Sequence, residues 1–186
     1  MKNRLVLITQ GISRVVMPIL TQRDVEVVGI VESAPRDYSR RPTRPMTLRT
    51  ALARALAMIR PAPSLESVSK QHNLPYFLLH KANGKEFANW LKEIRVDLVV
   101  IYSMSQLLPQ EILDIPSIGV LNLHPSLLPA YRGANPWFWM YYDAVSQGGV
   151  TLQYIDAGED TGDIVYQRTY AIPLGMKSPA MQDLAI

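Results

Sequence analysis

The chain has 186 residues, no cysteine and a formal net charge of +3, and 48% of its residues are apolar. A length of about 100–200 residues is typical of one domain, and the absence of cysteine excludes disulfides, zinc–cysteine sites and thiol nucleophiles. No apolar run approaches the roughly 18 residues that span a bilayer, and the first ten residues hold no cleavage pattern, so we expect a cytoplasmic protein without a signal peptide.

The positive charge is concentrated in one segment. Residues 36–60 carry a charge of +6 and the rest of the chain −3, because the segment holds one acid, Asp37, and seven arginines: Arg36, Arg40, Arg41, Arg44, Arg49, Arg54 and Arg60. Such a segment is suited to contact phosphates, or it forms a solvated loop. The charge pattern leaves both readings open.

The first third of the chain predicts a strand, a helix and a strand. Residues 4–9 are an apolar run typical of a buried strand, residues 12–22 predict a helix bent at Pro18, and residues 25–31 predict a second strand. This order favours a parallel pair joined by a right-handed crossover. In the arginine-rich insert that follows, residues 36–46 are broken by prolines, whereas 47–59 predict an amphipathic helix.

The remaining elements alternate in the same way. Ser64 is expected to cap a helix over 64–72, and Asn83 the helix after it. The other predicted elements are strands at 76–79, 97–102, 118–123, 149–155 and 164–171, a helical turn at 109–113, and helices at 134–146 and from Ser178. We therefore expect an α/β fold with a doubly wound, mostly parallel open sheet. We expect residues 1–175 to form one domain with an insert at 36–62, and 176–186 to begin a C-terminal helix of a longer protein.

The first strand ends without a nucleotide fingerprint. It runs into Thr-Gln-Gly-Ile-Ser at 9–13, which lacks the Gly-x-Gly-x-x-Gly pattern of dinucleotide sites, and the chain has no Walker-type phosphate loop. A nicotinamide enzyme is therefore disfavoured.

Two polar residues lie at the end of one predicted strand. Asn122 and His124 lie two positions apart and therefore project from the same face at the carboxyl end of the strand. An asparagine amide stabilises an oxyanion, and a histidine transfers protons near neutral pH. Acids in the loop 156–163 are candidates to complete the set. The alternative is that His124 is only structural; His72 and His80, in polar surroundings, are expected on the surface.

Two longer motifs surround this pair. Residues 122–129 read Asn-Leu-His-Pro-Ser-Leu-Leu-Pro, followed by Tyr-Arg-Gly at 131–133 and Asp-Thr-Gly-Asp-Ile at 160–164. Their order and spacing resemble the 10-formyltetrahydrofolate-dependent formyltransferases, which include glycinamide ribonucleotide, methionyl-tRNA and nucleotide-sugar enzymes. The resemblance covers residues 65–175 closely and 1–32 in outline. It implies a Rossmann-like formyltransferase fold.

The resemblance also implies roles for individual residues. Asn122 matches the asparagine that binds the formyl oxygen, and His124 the histidine that assists proton movement. Asp160 matches the aspartate that orients water and the histidine, whereas Asp163 braces the turn and Asp156 borders the pterin pocket.

The cosubstrate implied is 10-formyltetrahydrofolate, with no metal and no covalent enzyme intermediate. Its pterin is expected against the loop 102–109, where Met104, Gln106 and Leu108 occupy the matching places and the loop backbone bonds the ring.

The amine acceptor is the least determined feature. Residues 132–139 are closer to the nucleotide-sugar enzymes, so we expect an amino sugar on a nucleotide. Methionyl-tRNA is the alternative, because the basic insert lies where those enzymes carry one. A glycinamide ribonucleotide is disfavoured because residues 11–13 lack a glycine- and serine-rich turn. Two other hypotheses for the function are a formyltetrahydrofolate hydrolase and a nucleic-acid-binding module. No membrane partner is expected, and a homodimer is left open.

Overall fold

The computed structural model describes residues 1–36, 63–81 and 83–177, together with 180, 183 and 184. In chain order the described residues form β1 (Asn3–Thr9), α1 (Val16–Leu20), β2 (Val25–Ser33), α2 (Leu65–Gln71), β3 (Tyr76–Leu79), α3 (Gly84–Glu93), β4 (Leu98–Tyr102), α4 (Gln110–Leu113), β5 (Gly119–His124), α5 (Pro136–Tyr142), β6 (Gln147–Tyr154) and β7 (Ile164–Ala171).

The strands form one seven-stranded sheet in the order β3-β2-β1-β4-β5-β6-β7. Strands β1 to β5 pair in parallel, and β6 and β7 add antiparallel strands at one side. The predicted doubly wound, mostly parallel open sheet is confirmed. From β1 the strand order runs one way to β2 and β3 and the other way to β4 and β5. The carboxyl ends of β1 and β4 therefore border a crevice, and ligands of such sheets bind in this crevice.

Both faces of the sheet are covered, which explains the uninterrupted apolar strands. Alternate residues of β1 point to opposite faces, so Val6 and Ile8 enter one buried cluster while Leu5 and Leu7 enter another. Helix α3 packs on the first cluster through Phe87 and Leu91; α1 and α2 pack on the second.

The first helix is shorter than predicted. It spans Val16–Leu20 rather than 12–22, and Ile12 is 46% exposed. Pro18 therefore lies in the first helical turn, where its missing N–H breaks no helical hydrogen bond, and no bend is needed to accommodate it.

The two predicted caps have different outcomes. Ser64 caps α2 as expected, because its Oγ accepts from the Ser67 N–H at 3.1 Å and Ser67 Oγ accepts from the Ser64 N–H at 2.9 Å. Asn83 precedes α3 but makes no cap bond. Its side chain instead accepts from the His80 N–H and donates to the Leu78 carbonyl, closing the turn before the helix.

Several predictions fall outside the described residues. These are the irregular segment beyond Arg36, the helix at 47–59 and the helix start at Ser178. Within the part of the chain that the structure describes, no helix has both the length and the apolar character needed to cross a membrane.

Candidate active site

Asn122 and His124 stand at the carboxyl end of β5, the strand between β4 and β6. His124 is 4% exposed and Asn122 is half-buried. Both side chains contact the same carboxylate, so the predicted shared face is observed. Of the other histidines, His72 is exposed and His80 half-buried.

That carboxylate belongs to Asp160, in the loop between β6 and β7. Its Oδ1 accepts from Asn122 Nδ2 at 3.2 Å and from Gln153 Nε2 at 2.8 Å. Its Oδ2 accepts from the Gly133 N–H at 2.8 Å and lies 3.3 Å from His124 Nδ1. The three residues expected to act together are therefore adjacent in space.

The second ring nitrogen of His124 also faces an oxygen. Its Nε2 lies 2.8 Å from the Tyr131 carbonyl oxygen. A ring carrying both protons presents one N–H to this carbonyl and one to the Asp160 carboxylate, whereas a neutral ring has one N–H for the two oxygens.

The side chain of Tyr131 is also held by a hydrogen bond. Its hydroxyl donates to Asp143 Oδ2 at 2.9 Å. Desolvation and this bond to Asp143 both raise the pKa of Tyr131 above its ordinary value. The phenol therefore stays neutral at physiological pH and keeps its proton for the bond that holds the loop.

Asp156 organises the loop that carries Asp160. Its Oδ1 accepts from Thr161 Oγ1 at 2.7 Å and from the Gly158 N–H at 2.9 Å. The Thr161 bond is the largest cause of the lowered pKa of Asp156; desolvation, the next largest, opposes it, and the Gly158 bond lowers the pKa further. The carboxylate thus closes the turn as an anion.

A cleft of about 510 Å³ lies at the carboxyl ends of the strands, and its lining includes Asn122, His124, Asp156 and Asp160. The cleft is bordered by the end of β1, the loop after β4, the end of β5, the start of α5 and the loop 156–161. At the loop after β4, Ser103 Oγ donates to Gln10 Oε1 at 3.0 Å, which connects it to the end of β1.

The residues predicted to hold the folate are placed differently from one another. Met104, Gln106 and Asp156 line the cleft. Leu108 does not, since it is 9% exposed and packs in the core cluster that includes Ile112; Leu107, 75% exposed, lines the cleft instead. The structure therefore brings three of these four predicted residues to the cleft.

Gln106 connects its loop to β2. It accepts from Ser33 Oγ at 3.1 Å and donates to the Ala34 carbonyl at 2.8 Å. The Ser105 N–H also donates to Ser33 Oγ. The loop after β4 is therefore held by side chains, with Gln106 serving both as cleft lining and as anchor.

Residues 21–182 match a family model described as formyl transferase. The chain belongs to the formyl transferase family. The resemblance carried by the motifs at 122–133 and 160–164 is thereby confirmed.

Two similar proteins with higher sequence identity carry the same name. The chain is 41% identical over 101 residues to methionyl-tRNA formyltransferase of Clostridioides difficile (strain 630), a match covering 54% of the chain and 33% of that protein. It is 38% identical over 113 residues to the same-named protein of Geobacter sulfurreducens, covering 61% and 35%. The chain thus spans about a third of the length of these relatives.

Solved structures with low identity share the fold. Phosphoribosylglycinamide formyltransferase from Bacillus halodurans superposes with a TM-score of 0.75 at 23% identity, over 98% of this chain and 87% of that one. A formyltetrahydrofolate deformylase from Pseudomonas syringae pv. tomato gives 0.76 at 19% identity, over 99% and 56%.

Sequence reasoning missed three contributors to the formyl transferase site: Gln153, the Gly133 N–H and the Tyr131 carbonyl. Gln153 had a weak signal: it lies two positions from Thr151 on a predicted strand, so both project from the same face, and both are buried. Its pairing opposite Asn122 depends on β6 lying antiparallel to β5. The two backbone groups carry no side-chain signal. Among the described residues, no three His, Asp or Glu side chains group so as to hold a metal ion.

Proposed function

We propose that this chain carries the site that transfers a formyl group from 10-formyltetrahydrofolate to the amine of methionyl-tRNA. The convergence of Asn122, His124 and Asp160 beside the cleft, in a chain of the formyl transferase family, carries the proposal. Asn122 offers an amide to an oxyanion, and the His124 ring, 3.3 Å from the Asp160 carboxylate, is able to hold and move a proton.

The residue types match the steps of the reaction. The acceptor nitrogen attacks the formyl carbon, and the carbonyl oxygen becomes an oxyanion that the Asn122 amide and the His124 ring stabilise. The bond between the formyl carbon and the folate nitrogen then breaks. A proton leaves the attacking amine and one reaches the departing nitrogen, with His124 as carrier and Asp160 holding the ring in place. These steps require neither a metal nor a covalent enzyme intermediate.

We propose that the folate binds against the loop after β4. Met104 and Gln106 supply lining on that side, Asp156 shapes the loop beside Asp160, and Leu108 supports the folate loop from the core rather than by contact. The anchoring of Gln106 to Ser33 and Ala34 supports this placement, because a preformed loop loses less conformational entropy when a ligand binds.

The acceptor assignment departs from the sequence expectation. Residues 132–139 favoured an amino sugar on a nucleotide, whereas the relatives reported above are named methionyl-tRNA formyltransferases. The basic segment beginning at Arg36 is consistent with a polyanionic acceptor, since arginines neutralise phosphates. We therefore infer methionyl-tRNA as the acceptor. We also propose that residues 1–175 form the catalytic domain and that the protein acts in the cytoplasm.

An acceptor screen tests this function. The chain is incubated with 10-formyltetrahydrofolate and methionyl-tRNA, an amino-sugar nucleotide, or no amine, and the formylated product and free formate are measured. We expect formyl-methionyl-tRNA, lost in His124→Ala. Formylation of the sugar nucleotide alone overturns the acceptor assignment. Formate released at the same rate with and without an amine identifies a hydrolase. No consumption of the folate in any mixture rejects the formyl-transfer function.

A further inference from the structure

Gln153 is a buried glutamine that the proposed chemistry does not use. It lies on β6, is 1% exposed and is the direct cross-strand partner of Asn122. It also lines the cleft. A polar side chain buried at the catalytic strand end has to be explained by what it binds.

Gln153 and Asn122 donate to the same oxygen. Gln153 Nε2 lies 2.8 Å and Asn122 Nδ2 3.2 Å from Asp160 Oδ1, so the glutamine makes the shorter bond. Were Asn122 the sole donor, turning its amide toward a formyl oxygen would leave a buried carboxylate oxygen unpaired, which is costly. With Gln153 in place, Oδ1 keeps a donor when Asn122 turns.

We infer that Gln153 is a positioning residue: it holds Asp160 Oδ1 so that the Asn122 amide is free to serve the reacting carbonyl. The inference rests on the proposed function and deepens it. Gln153 acts through Asp160 and Asn122, and it needs no contact with the substrate.

The other end of the same side chain argues against a purely stabilising role. Gln153 Oε1 is buried and has no hydrogen-bond partner among the described residues. An unpaired buried carbonyl destabilises the folded state, and an apolar side chain of similar length would avoid that penalty. The bond to Asp160 is therefore the contact that accounts for a glutamine here.

Two substitutions of Gln153 distinguish the effect of its N–H donor from the effect of its side-chain shape. Gln153→Met keeps the length and removes the donor, and we expect kcat to fall about tenfold, the effect of one lost hydrogen bond, with both KM values changed less than twofold. Gln153→Glu keeps the shape but sets an acceptor against Asp160, so its kcat should be lower still.

The matched control is Gln110→Met, since Gln110 Nε2 donates to Asp114 Oδ1 at 2.7 Å on the exposed surface of α4. Its kcat should equal that of the wild type.

A merely structural role predicts the opposite result for Gln153→Met: replacing a glutamine whose Oε1 is unpaired by an apolar side chain of similar length leaves kcat at the wild-type value. An unchanged kcat in Gln153→Met overturns the inference. So does a tenfold loss with Gln153→Met that is equally large in an Asn122→Ala background. If Gln153 acts by releasing Asn122, its effect should largely vanish there, because coupled residues are not additive.

A third measurement is independent of turnover. In Gln153→Met, Asn122 becomes the only side-chain amide among the described residues that donates to Asp160 Oδ1, so its amide protons should exchange with solvent at least about threefold more slowly by NMR. An unchanged exchange rate overturns the positioning role even if the wild type transfers formyl groups. Wild-type protein without turnover rejects the proposed function, whereas slowed exchange in the variant would still establish the coupling.

Discussion

Asp160 is the residue with the most constrained surroundings in the site. Its backbone has φ +53°, in the left-handed region that few residues other than glycine adopt, although aspartate is among those that do. Its two carboxylate oxygens are held by groups from β5, β6 and the segment before α5. An uncharged side chain of the same shape cannot reproduce this pattern, because its amide end presents hydrogens where donors already point.

The three residues proposed to be catalytic give the first prediction. Asn122→Ala, His124→Ala and Asp160→Asn should each lower kcat at least about 10²-fold, the usual effect of removing an oxyanion donor or a proton-transfer group. Initial rates of formyl transfer check this, with circular dichroism confirming the fold. Asp163→Asn is the matched control, since Asp163 is exposed in the same loop, and it should stay within twofold. Three folded variants with wild-type rates would refute the assignment.

The β6–β7 connection determines where Asp160 stands. Gly162 has no room for a side chain, because an added Cβ would lie 1.9 Å from the Tyr154 carbonyl oxygen. The contact is with backbone, and the Tyr154 N–H is itself bonded to the Asp163 carbonyl at 2.9 Å. Neither partner can move without opening the loop two residues after Asp160.

A methyl group at this position should therefore harm both stability and activity. Gly162→Ala is expected to cost about 1–3 kcal/mol of the free energy of unfolding, the range for overpacking, and to lower kcat by displacing Asp160. Urea unfolding and initial rates measure the two effects. Gly84→Ala, at the open first position of α3, should change the unfolding free energy by less than about 0.5 kcal/mol. Equal effects of the two substitutions would contradict the steric argument.

The starts of three parallel strands meet at Asp97, on the side of the sheet away from the cleft. Its Oδ2 accepts from the Arg4 N–H at 2.8 Å, beside the start of β1, and its Oδ1 from Ser117 Oγ at 3.0 Å, before β5. The bond from Arg4, followed by that from Ser117, holds the pKa of Asp97 below its ordinary value of 3.8. Since the folded-state pKa is the lower one, the stabilisation is complete above the ordinary value and is lost as the pH falls below it.

Asp97→Asn should accordingly lower the Tm at pH 7, and the difference from the wild type should shrink as the pH falls from 5 to 3. Differential scanning calorimetry across that interval tests the sign. Asp114→Asn, in which the carboxylate serves only an exposed bond from Gln110, is the control. A difference that grows on acidification would show that Asp97 does not act as a hydrogen-bonded anion.

For the molecule as a whole, the net positive charge bears on which acceptor binds. The chain carries +3, and the arginines of 36–60 account for all of the excess. A tRNA acceptor presents many phosphates, whereas a nucleotide sugar presents one or two. The salt dependence of binding therefore distinguishes the two acceptors without assuming a structure for the segment beyond Arg36.

With methionyl-tRNA as acceptor, replacing Arg40, Arg41 and Arg44 by serine should flatten the slope of log K against log[salt]. Each lost phosphate contact contributes about 0.7–0.9 to the slope, so a decrease of up to about 2–3 is expected. Filter binding of tRNA at several salt concentrations measures it. Arg23→Ser/Arg95→Ser, two exposed arginines outside the segment, should leave the slope unchanged. The same slope in both variants would remove this support for tRNA.

Local pattern and motif were enough to predict the α/β class, all seven strands to within two residues, and the Asn122–His124 pair, because strand periodicity and a continuous motif are properties of neighbouring residues. The order of the strands, the antiparallel entry of β6 and the partners of Asp160 were decided in three dimensions. Gln153, Gly133 and Tyr131 reach the site from segments that are distant in sequence or through backbone groups that every residue possesses. Likewise, nothing local distinguishes Leu107 from Leu108, yet one lines the cleft and the other packs in the core. Which of two adjacent leucines is buried depends on what packs beneath the loop, and that is set by the tertiary structure.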